Sequence, residues 1–405
     1  MTEKKLNILI VHNYYQIPGG EDTVVANEKH MLEKNGHTVY LYTRTNEELN
    51  HFSVVQRLAL PFKFIFNRKT YKDISGIIKD KNIDIVHVHN TLMMISPSVY
   101  YAALRNKVPV VQTVHNFRLL CPGATFYRDG NICEDCVTKG LGCAIRHSCY
   151  RNSKFQTLAC VISTWIHRLI GIYGKLNYIC LTEFNKEKLL KLKQIKEDRV
   201  YVKPNFVVGQ NVSAKARKDF AFAGRNESYY RKNQILYAGR IEELKGVRLL
   251  LEAWKDMGND APDLVMCGIG PLYNYCMEYI KKNKIKKVAM MGLLGNSQIK
   301  SLMMESKAVI LPTQWYEGFP MTIVEAFSVG TPVICSNFGN CAFLVKDGVN
   351  GYKIEMNNTE GIKKAVKMLL QNDGMENKVL EIYNGNYTEN INYGKLMNIY
   401  GSAKK

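Results

Sequence analysis

Two glutamates with seven residues between them, Glu317 and Glu325, mark the part of this chain richest in chemistry. They bound the run Glu317-Gly318-Phe319-Pro320-Met321-Thr322-Ile323-Val324-Glu325. Gly318 and Pro320 predict a turn, and the apolar residues after them a helix. Such a turn offers free backbone N–H groups at the positive end of a helix dipole, a place suited to phosphate. Glu325, two turns into the helix, could accept bonds from ribose hydroxyls. Anion site and hydroxyl acceptors together suggest a nucleotide diphosphate with a sugar attached. Upstream, Gly239-Arg240 and Lys245-Gly246 aim two cations at the start of another helix. A leaving diphosphate needs such a clamp, because charge builds on it as the bond to the sugar breaks.

The elements that must hold these residues read as alternating strands and helices. Leu6–Val11 predicts a buried strand, His12–Glu21 a loop, Thr23–Asn35 a helix closed by Gly36, and His37–Tyr42 a second strand. Ile83–His89, Val108–His115, Tyr178–Thr182 and Val200–Val202 predict further strands. Leu158–Tyr173 is apolar but carries His167 and Arg168, which predicts a core helix rather than a membrane span. Residues 209–233 are polar and basic and read as a linker. The pattern then restarts with strands at Ile235–Ala238, Asp263–Cys267, Val288–Met291, Ala308–Leu311 and Pro332–Cys335. This is an α/β chain of βαβ units, with parallel sheets and ligands at the carboxyl ends of strands.

Charge and cysteine content narrow the function classes. The chain has 405 residues and a formal charge of +19, from 55 basic and 36 acidic residues. Such an excess favours an anionic partner: nucleic acid, an anionic membrane or a phosphorylated substrate. From Leu49 to Lys72 there is no acid, and Lys63, Arg68, Lys69 and Lys72 interleave with Phe52, Phe62, Phe64, Ile65 and Phe66. That stretch reads either as a membrane-interface segment or as a helix pair packed on its own domain. The amino-terminal residues lack a signal-peptide pattern, which with eleven cysteines predicts a reducing, cytoplasmic setting.

Taken together the motifs resemble the retaining glycosyltransferases of family 4. Leu236-Tyr237-Ala238-Gly239-Arg240 with Lys245-Gly246 is similar to that family's donor clamp. Val265-Met266-Cys267-Gly268-Ile269-Gly270-Pro271 resembles its GxGP loop, Glu317 to Pro332 its EGFP–E–GTP signature, and Lys346–Gly351 its late turn. The resemblance implies the GT-B fold: two Rossmann-like parallel-sheet domains facing a central cleft. Residues 1–205 would take the acceptor and 206–383 the nucleotide sugar, and a final helix, 384–405, would cross back to the first domain. It implies that Arg240 and Lys245 bind the donor diphosphate, Glu325 the ribose and Glu317 the transferred sugar. Gly239, Gly268, Gly270, Gly318, Phe319 and Pro320 would line the donor. Gly19-Gly20 resembles the family loop that meets donor phosphate and acceptor, and His115 would sit near the reacting sugar. Asn116 stands where an aspartate is commoner, so no ionisable partner is implied there. The reaction implied is retaining, by front-face substitution, with no divalent ion needed. No Asp-x-Asp motif stands near the donor loops. The partners implied are a nucleotide-diphosphate sugar, a glycan or polyprenyl-linked acceptor, and an anionic inner-leaflet surface, in bacterial surface-polysaccharide assembly.

A separate constellation lies in residues 118–153. Cys133-Glu134-Asp135-Cys136 is a C-x2-C knuckle, with Cys121 upstream and Cys143, His147 and Cys149 downstream. Four thiolates can close a tetrahedral zinc site, and a metal would supply a core to a glycine-rich insertion; free thiols are the alternative. A similar insertion occurs in a bacterial subset of family 4. The resemblance implies Cys121, Cys133, Cys136 and Cys149 as structural zinc ligands. Two rival functions remain open. A zinc-containing nucleic-acid-binding protein would explain the charge and the cysteines, but not the Glu317–Glu325 run. A nucleotide-sugar epimerase would share the fold but need no acceptor.

Overall fold

The computed structural model describes residues 5–16, 19–53, 59–208, 231–372 and 374–404. Residues 54–58 of the basic apolar stretch and 209–230 of the expected linker lie outside them. The chain divides into two compact units, Met1–Asn205 with Asn390–Lys405, and Phe206–Glu389.

In the first unit the strands are β1 (Asn7–Tyr14), β2 (Thr38–Thr45), β3 (Ile85–Asn90), β4 (Val110–Val114), a hairpin of β5 (Tyr127–Arg128) and β6 (Asn131–Ile132), then β7 (Asn177–Cys180) and β8 (Val200–Val202). Apart from the hairpin they form one parallel sheet in the order β2-β1-β3-β4-β7-β8. Interior strands of such a sheet are covered on both faces and read as unbroken apolar runs. Ile8, Leu9, Ile10 and Val11 are accordingly buried, while the edge strand β2 is half exposed. β1 runs three residues beyond its apolar stretch. His12 and Asn13 can enter the interior because partners await them: Asp22 Oδ1 lies 2.8 Å from His12 Nε2, and the Asn13 amide bonds Asn46 and the Met94 N–H. The next helix then starts at Gly20, not Thr23, and its first turn is closed by Asp22, whose Oδ2 accepts the Gly19 N–H at 3.0 Å.

The second unit has β9 (Lys232–Ala238), β10 (Asp263–Cys267), β11 (Val288–Gly292), β12 (Ser306–Leu311), β13 (Val333–Ser336) and β14 (Gly351–Ile354). Its parallel sheet has the order β11-β10-β9-β12-β13-β14, the doubly wound arrangement that reverses between its first and fourth strands. Arg231, expected in the linker, is instead buried. Its guanidinium donates to the carbonyls of Met303, Met304, Ser306 and Gly330 and to the Thr331 hydroxyl, joining one end of the unit. All but the Thr331 hydroxyl are backbone acceptors, which hydropathy of the side chains does not reveal. Among the described residues no helix is long and apolar enough to cross a membrane.

The last helix, Glu389–Ala403, packs in the first unit. Tyr393 meets His37, Tyr400 meets His87, and Lys404 meets Asp84. Asn392 is central. Its oxygen accepts from Lys203 Nζ at 2.9 Å and its amide donates to the Pro204 carbonyl at 2.5 Å. Lys203 is fully buried and pairs with fully buried Glu28 at 2.6 Å. Removing one partner of such a pair strands the other charge, so Lys203→Met should lower stability by about 3–5 kcal/mol. The double change Lys203→Met with Glu28→Leu should be milder than Lys203→Met alone. Urea melts followed by far-UV dichroism check both, and equal losses would contradict the stranded-charge account.

Candidate functional site

Open α/β sheets bind ligands beyond the carboxyl ends of the strands where strand order reverses. In the second unit that point lies between β9 and β12, and the residues singled out from the sequence follow these two strands. Gly239 and Arg240 come directly after β9, and Glu317 lies six residues after the end of β12. The loops are knitted together. Gln314 N–H and the Thr313 hydroxyl both donate to the Leu244 carbonyl, at 2.8 and 3.1 Å, and the Tyr237 hydroxyl donates to the Arg240 carbonyl at 2.6 Å.

Two glycines make that close approach possible. Gly246 has φ +69°, and a Cβ there would lie 2.0 Å from the Pro312 carbonyl oxygen. Gly268 has φ +139°, and a Cβ would lie 1.9 Å from the Gly239 oxygen. The chain at Gly239 therefore depends on Gly268, which leaves room for the Gly239 carbonyl.

The charged residues divide the work differently from the simple clamp. Lys245 Nζ sits 2.6 Å from Glu317 Oε1, which also accepts from the Thr313 hydroxyl at 2.9 Å and Trp315 Nε1 at 3.0 Å. Three donors occupy one oxygen, so a sugar hydroxyl would have to meet Oε2. Asn340 Nδ2 donates to the carbonyls of Glu317 and Gly318 and fixes the turn between them and Pro320. Arg240 is more than half exposed, with Glu242 at 3.3 Å. Glu325 is half-buried in the helix Met321–Ser328, and among the described residues its carboxylate has no hydrogen-bond or ion-pair partner. Burial raises its pKa, with Lys300 opposing. No side chain caps that helix, whose N-cap is Pro320. The arrangement thus offers an exposed guanidinium, an uncapped helix start and an unpartnered carboxylate on elements fixed by the sheet.

In the first unit the reversal lies between β1 and β3. The register slips there, so that His12 pairs with Asn90 rather than His89. Gly19 and Gly20 begin the helix after β1, and a Cβ on Gly19 would meet nothing within 4 Å. His115, just after β4, bonds His89: Nε2 to Nδ1 at 2.9 Å, rings stacked. His89 Nε2 faces Glu28 Oε2 at 3.5 Å. Burial holds the pKa of both histidines well below the ordinary range, so both are neutral. A proton on His89 Nε2, toward the carboxylate, would make His115 the donor of this bond and leave His115 Nδ1 as an acceptor. A cavity of about 90 Å³ adjoins this pair, lined by His89, His115, Asn116 and Arg118 among others. Arg118 Nε is buried without a hydrogen-bond partner among the described residues.

Among the described residues, Glu28, His87 and His89 are the one group of three whose ligand atoms all lie within 4.8 Å of one another. A metal does not suit them. His87 already uses both ring nitrogens, on the Tyr400 and Thr113 hydroxyls, and Lys203 neutralises Glu28. The cysteines behave otherwise. Burial first, and then Cys121, Cys149, Cys143 and Cys133, push the Cys136 thiol up to about 12. The four expected ligands thus share one lobe, whose own core is Cys136, Leu141, Ala144 and Val161. Their sulfurs are more widely spread than the 4.8 Å group.

Sequence reading missed Glu28 and Lys203, whose contact spans 175 residues. It also missed Asp22, although its place three residues after Gly19 is capping-box spacing. Glu21 was passed over too. Burial first, then Asp22, raise its pKa to about 8, with Arg118 opposing.

Comparison with known proteins places these features in context. Residues 18–208 match the model of "Glycosyltransferase Family 4" and residues 220–384 that of "Glycosyl transferases group 1". An uncharacterized glycosyltransferase of Methanocaldococcus jannaschii is 30% identical over 148 residues, 36% of this chain and 40% of that protein's length. The UDP-Gal:alpha-D-GlcNAc-diphosphoundecaprenol alpha-1,3-galactosyltransferase of Escherichia coli is 24% identical over 354 residues, 83% of this chain and 78% of that one. The crystal structure of a glycosyltransferase from Rickettsia africae superposes with a TM-score of 0.69 at 19% identity, covering 100% of both chains. The two parallel-sheet units are therefore those of the GT-B fold.

Glu21 gives a pH signature. Its folded pKa lies above the ordinary 4.5, so its stabilising contribution is full below 4.5 and is lost as pH rises to about 8. The melting temperature of the wild type should fall relative to that of Glu21→Gln across this window. A pH-independent difference between the two would refute the shift.

Proposed function

Since two glycosyltransferase family models match successive parts of the chain, residues 18–208 and 220–384, we propose that it moves a sugar, with retention, from a nucleotide diphosphate to a glycan or lipid-linked acceptor. The observation that carries the reading is that exposed Arg240 and Glu325, which has no hydrogen-bond or ion-pair partner among the described residues, follow the two strands that flank one sheet reversal. Ribose hydroxyls would donate to Glu325, which lacks a partner among the described residues. Arg240 and the uncapped N–H groups after Pro320 would take the diphosphate, alongside Gly318 and Phe319. Lys245, held by Glu317, would face the developing charge as the bond to the anomeric carbon breaks. Glu317 Oε2 would accept a hydroxyl of the transferred sugar and help set its orientation. With cations and a helix start serving the diphosphate, donor binding is proposed to need no divalent ion.

The acceptor is proposed to enter the first unit near the cavity beside His115, with Gly19-Gly20 presenting backbone to it. The Escherichia coli relative, by its name, acts on a diphosphoundecaprenol-linked sugar. That favours a polyprenyl-linked acceptor, surface-polysaccharide assembly, and a place on the cytoplasmic face of the plasma membrane. Cys121, Cys133, Cys136 and Cys149 would hold a structural zinc. Zinc would draw the sulfurs together and stabilise the thiolates that burial disfavours.

A panel of nucleotide sugars, assayed with and without acceptor, tests the reaction class: product that forms without acceptor would indicate an epimerase instead. Arg240→Ala and Glu325→Ala should each reduce transfer by about a hundredfold or more while leaving the melting temperature within a degree or two. Full activity in either variant would overturn the donor assignment. Metal analysis of protein purified without chelator should find one zinc per chain, lost in Cys136→Ser. Metal-free wild type would leave free thiols.

A further inference from the structure

The helix Lys154–Ile170 contradicts its reading as a core helix. One face is buried: Thr157, Cys160, Val161, Thr164 and His167. The opposite face carries Phe155, Leu158, Ile162, Trp165 and Leu169, spaced three and four residues apart, with Trp165 57% and Leu169 72% exposed. Such a stripe of large apolar side chains in water is costly and marks a contact surface.

The helix Leu60–Ile65, from the acid-free stretch noted in the sequence, lies against it. Ser163 Oγ donates to the Phe64 carbonyl at 3.4 Å, and His167 Nε2 to the Ile65 carbonyl at 2.9 Å. His167 Nδ1 accepts from the Tyr101 hydroxyl at 2.8 Å, and burial keeps the ring neutral, as that pattern requires. Phe62, 75% exposed, and Lys63 stand on the solvent side of the shorter helix. The longer helix also lies in an acid-free run. From Val137 to Thr182 there is no Asp or Glu, but Lys139, Arg146, Arg151, Lys154, Arg168 and Lys175 are present. Two segments far apart in sequence, both without acids, are thus joined into one apolar surface on which Lys63 and Lys154 are exposed.

We propose that this two-helix face docks on an anionic lipid bilayer, with Phe62, Phe155, Trp165 and Leu169 inserted among the acyl chains and Lys63 and Lys154 at the headgroups. Charge complementarity selects the occupant: an apolar stripe alone would suit a protein, but aromatic residues beside exposed Lys63 and Lys154, on two segments that carry no acids, suit an anionic interface. The inference deepens the peripheral-membrane part of the proposed function and needs neither donor nor acceptor to be tested.

The test uses the full chain with phosphatidylglycerol–phosphatidylcholine vesicles and with pure phosphatidylcholine vesicles. Trp165 is the most exposed tryptophan, while Trp254 is buried, so quenching by brominated lipid reports insertion of this face. Expected are binding to the anionic vesicles, weakening with salt, and quenching lost in Trp165→Phe. Trp165→Ser with Leu169→Ser should weaken binding about tenfold or more, and Lys63→Glu with Lys154→Glu about as much. All four side chains are exposed, and an unchanged melting temperature confirms that the fold is intact. Equal binding to both vesicle types, unchanged binding by either double variant, or a dimer that the serine variant converts to monomer would overturn the proposal. Transfer to a water-soluble acceptor analogue should be unaffected by the serine changes, which separates this result from the reaction itself.

Discussion

The buried pair of Glu28 and Lys203 is the interaction on which the first unit turns. A carboxylate and an ammonium with no exposure are tolerated only if each is matched, and their matching draws in much of the unit. Glu28 reaches from the first helix, Lys203 from the chain just after β8, and Asn392 from the last helix. His89 stands against the same carboxylate and bonds His115. One electrostatic demand therefore links the closing of the sheet, the docking of the final helix and the surroundings of a candidate site residue.

The second unit meets its charge requirement in the opposite way. Glu317 is fixed through one oxygen, Oε1, by Lys245, Thr313 and Trp315, and its turn is further held by Asn340. Glu325 is half-buried with no partner among the described residues. A carboxylate bound on several sides is a positioned group, and its neighbours have already met the cost of ordering it. A carboxylate withheld from water but left unpaired keeps its hydrogen-bonding capacity for something else. Two glutamates of one motif thus differ in role because one sits in a turn among donors and the other on a helix face.

What the sequence made legible was local. Alternating strands, glycine-marked turns and the Glu317–Glu325 run depend on neighbours a few residues away, and β9 to β13 fall within about three residues of their expected places, while β14, just after the expected late turn, has no counterpart among the expected strands. Contacts between distant residues were not legible. Nothing near Glu28 announces Lys203, and nothing near Arg231 announces the carbonyls of Met303 to Gly330. The steric demand at Gly268 lies across the gap from Gly239, and only the paired strands reveal it. The helix Lys154–Ile170 failed for another reason. Mean hydropathy over a window does not record direction, and this helix carries apolar residues on two faces of which the fold covers one.

The place of the final helix also bears on synthesis. Residues 206–389 form a self-contained unit inserted between two parts of the other. A ribosome therefore delivers the whole second sheet before Asn392 and Tyr400 emerge. Until then Lys203 and His87 lack the partners those residues supply. The first-made unit is thus the last to be finished, and during translation its surface beside Lys203 stays open to chaperones while the later-made unit can already close.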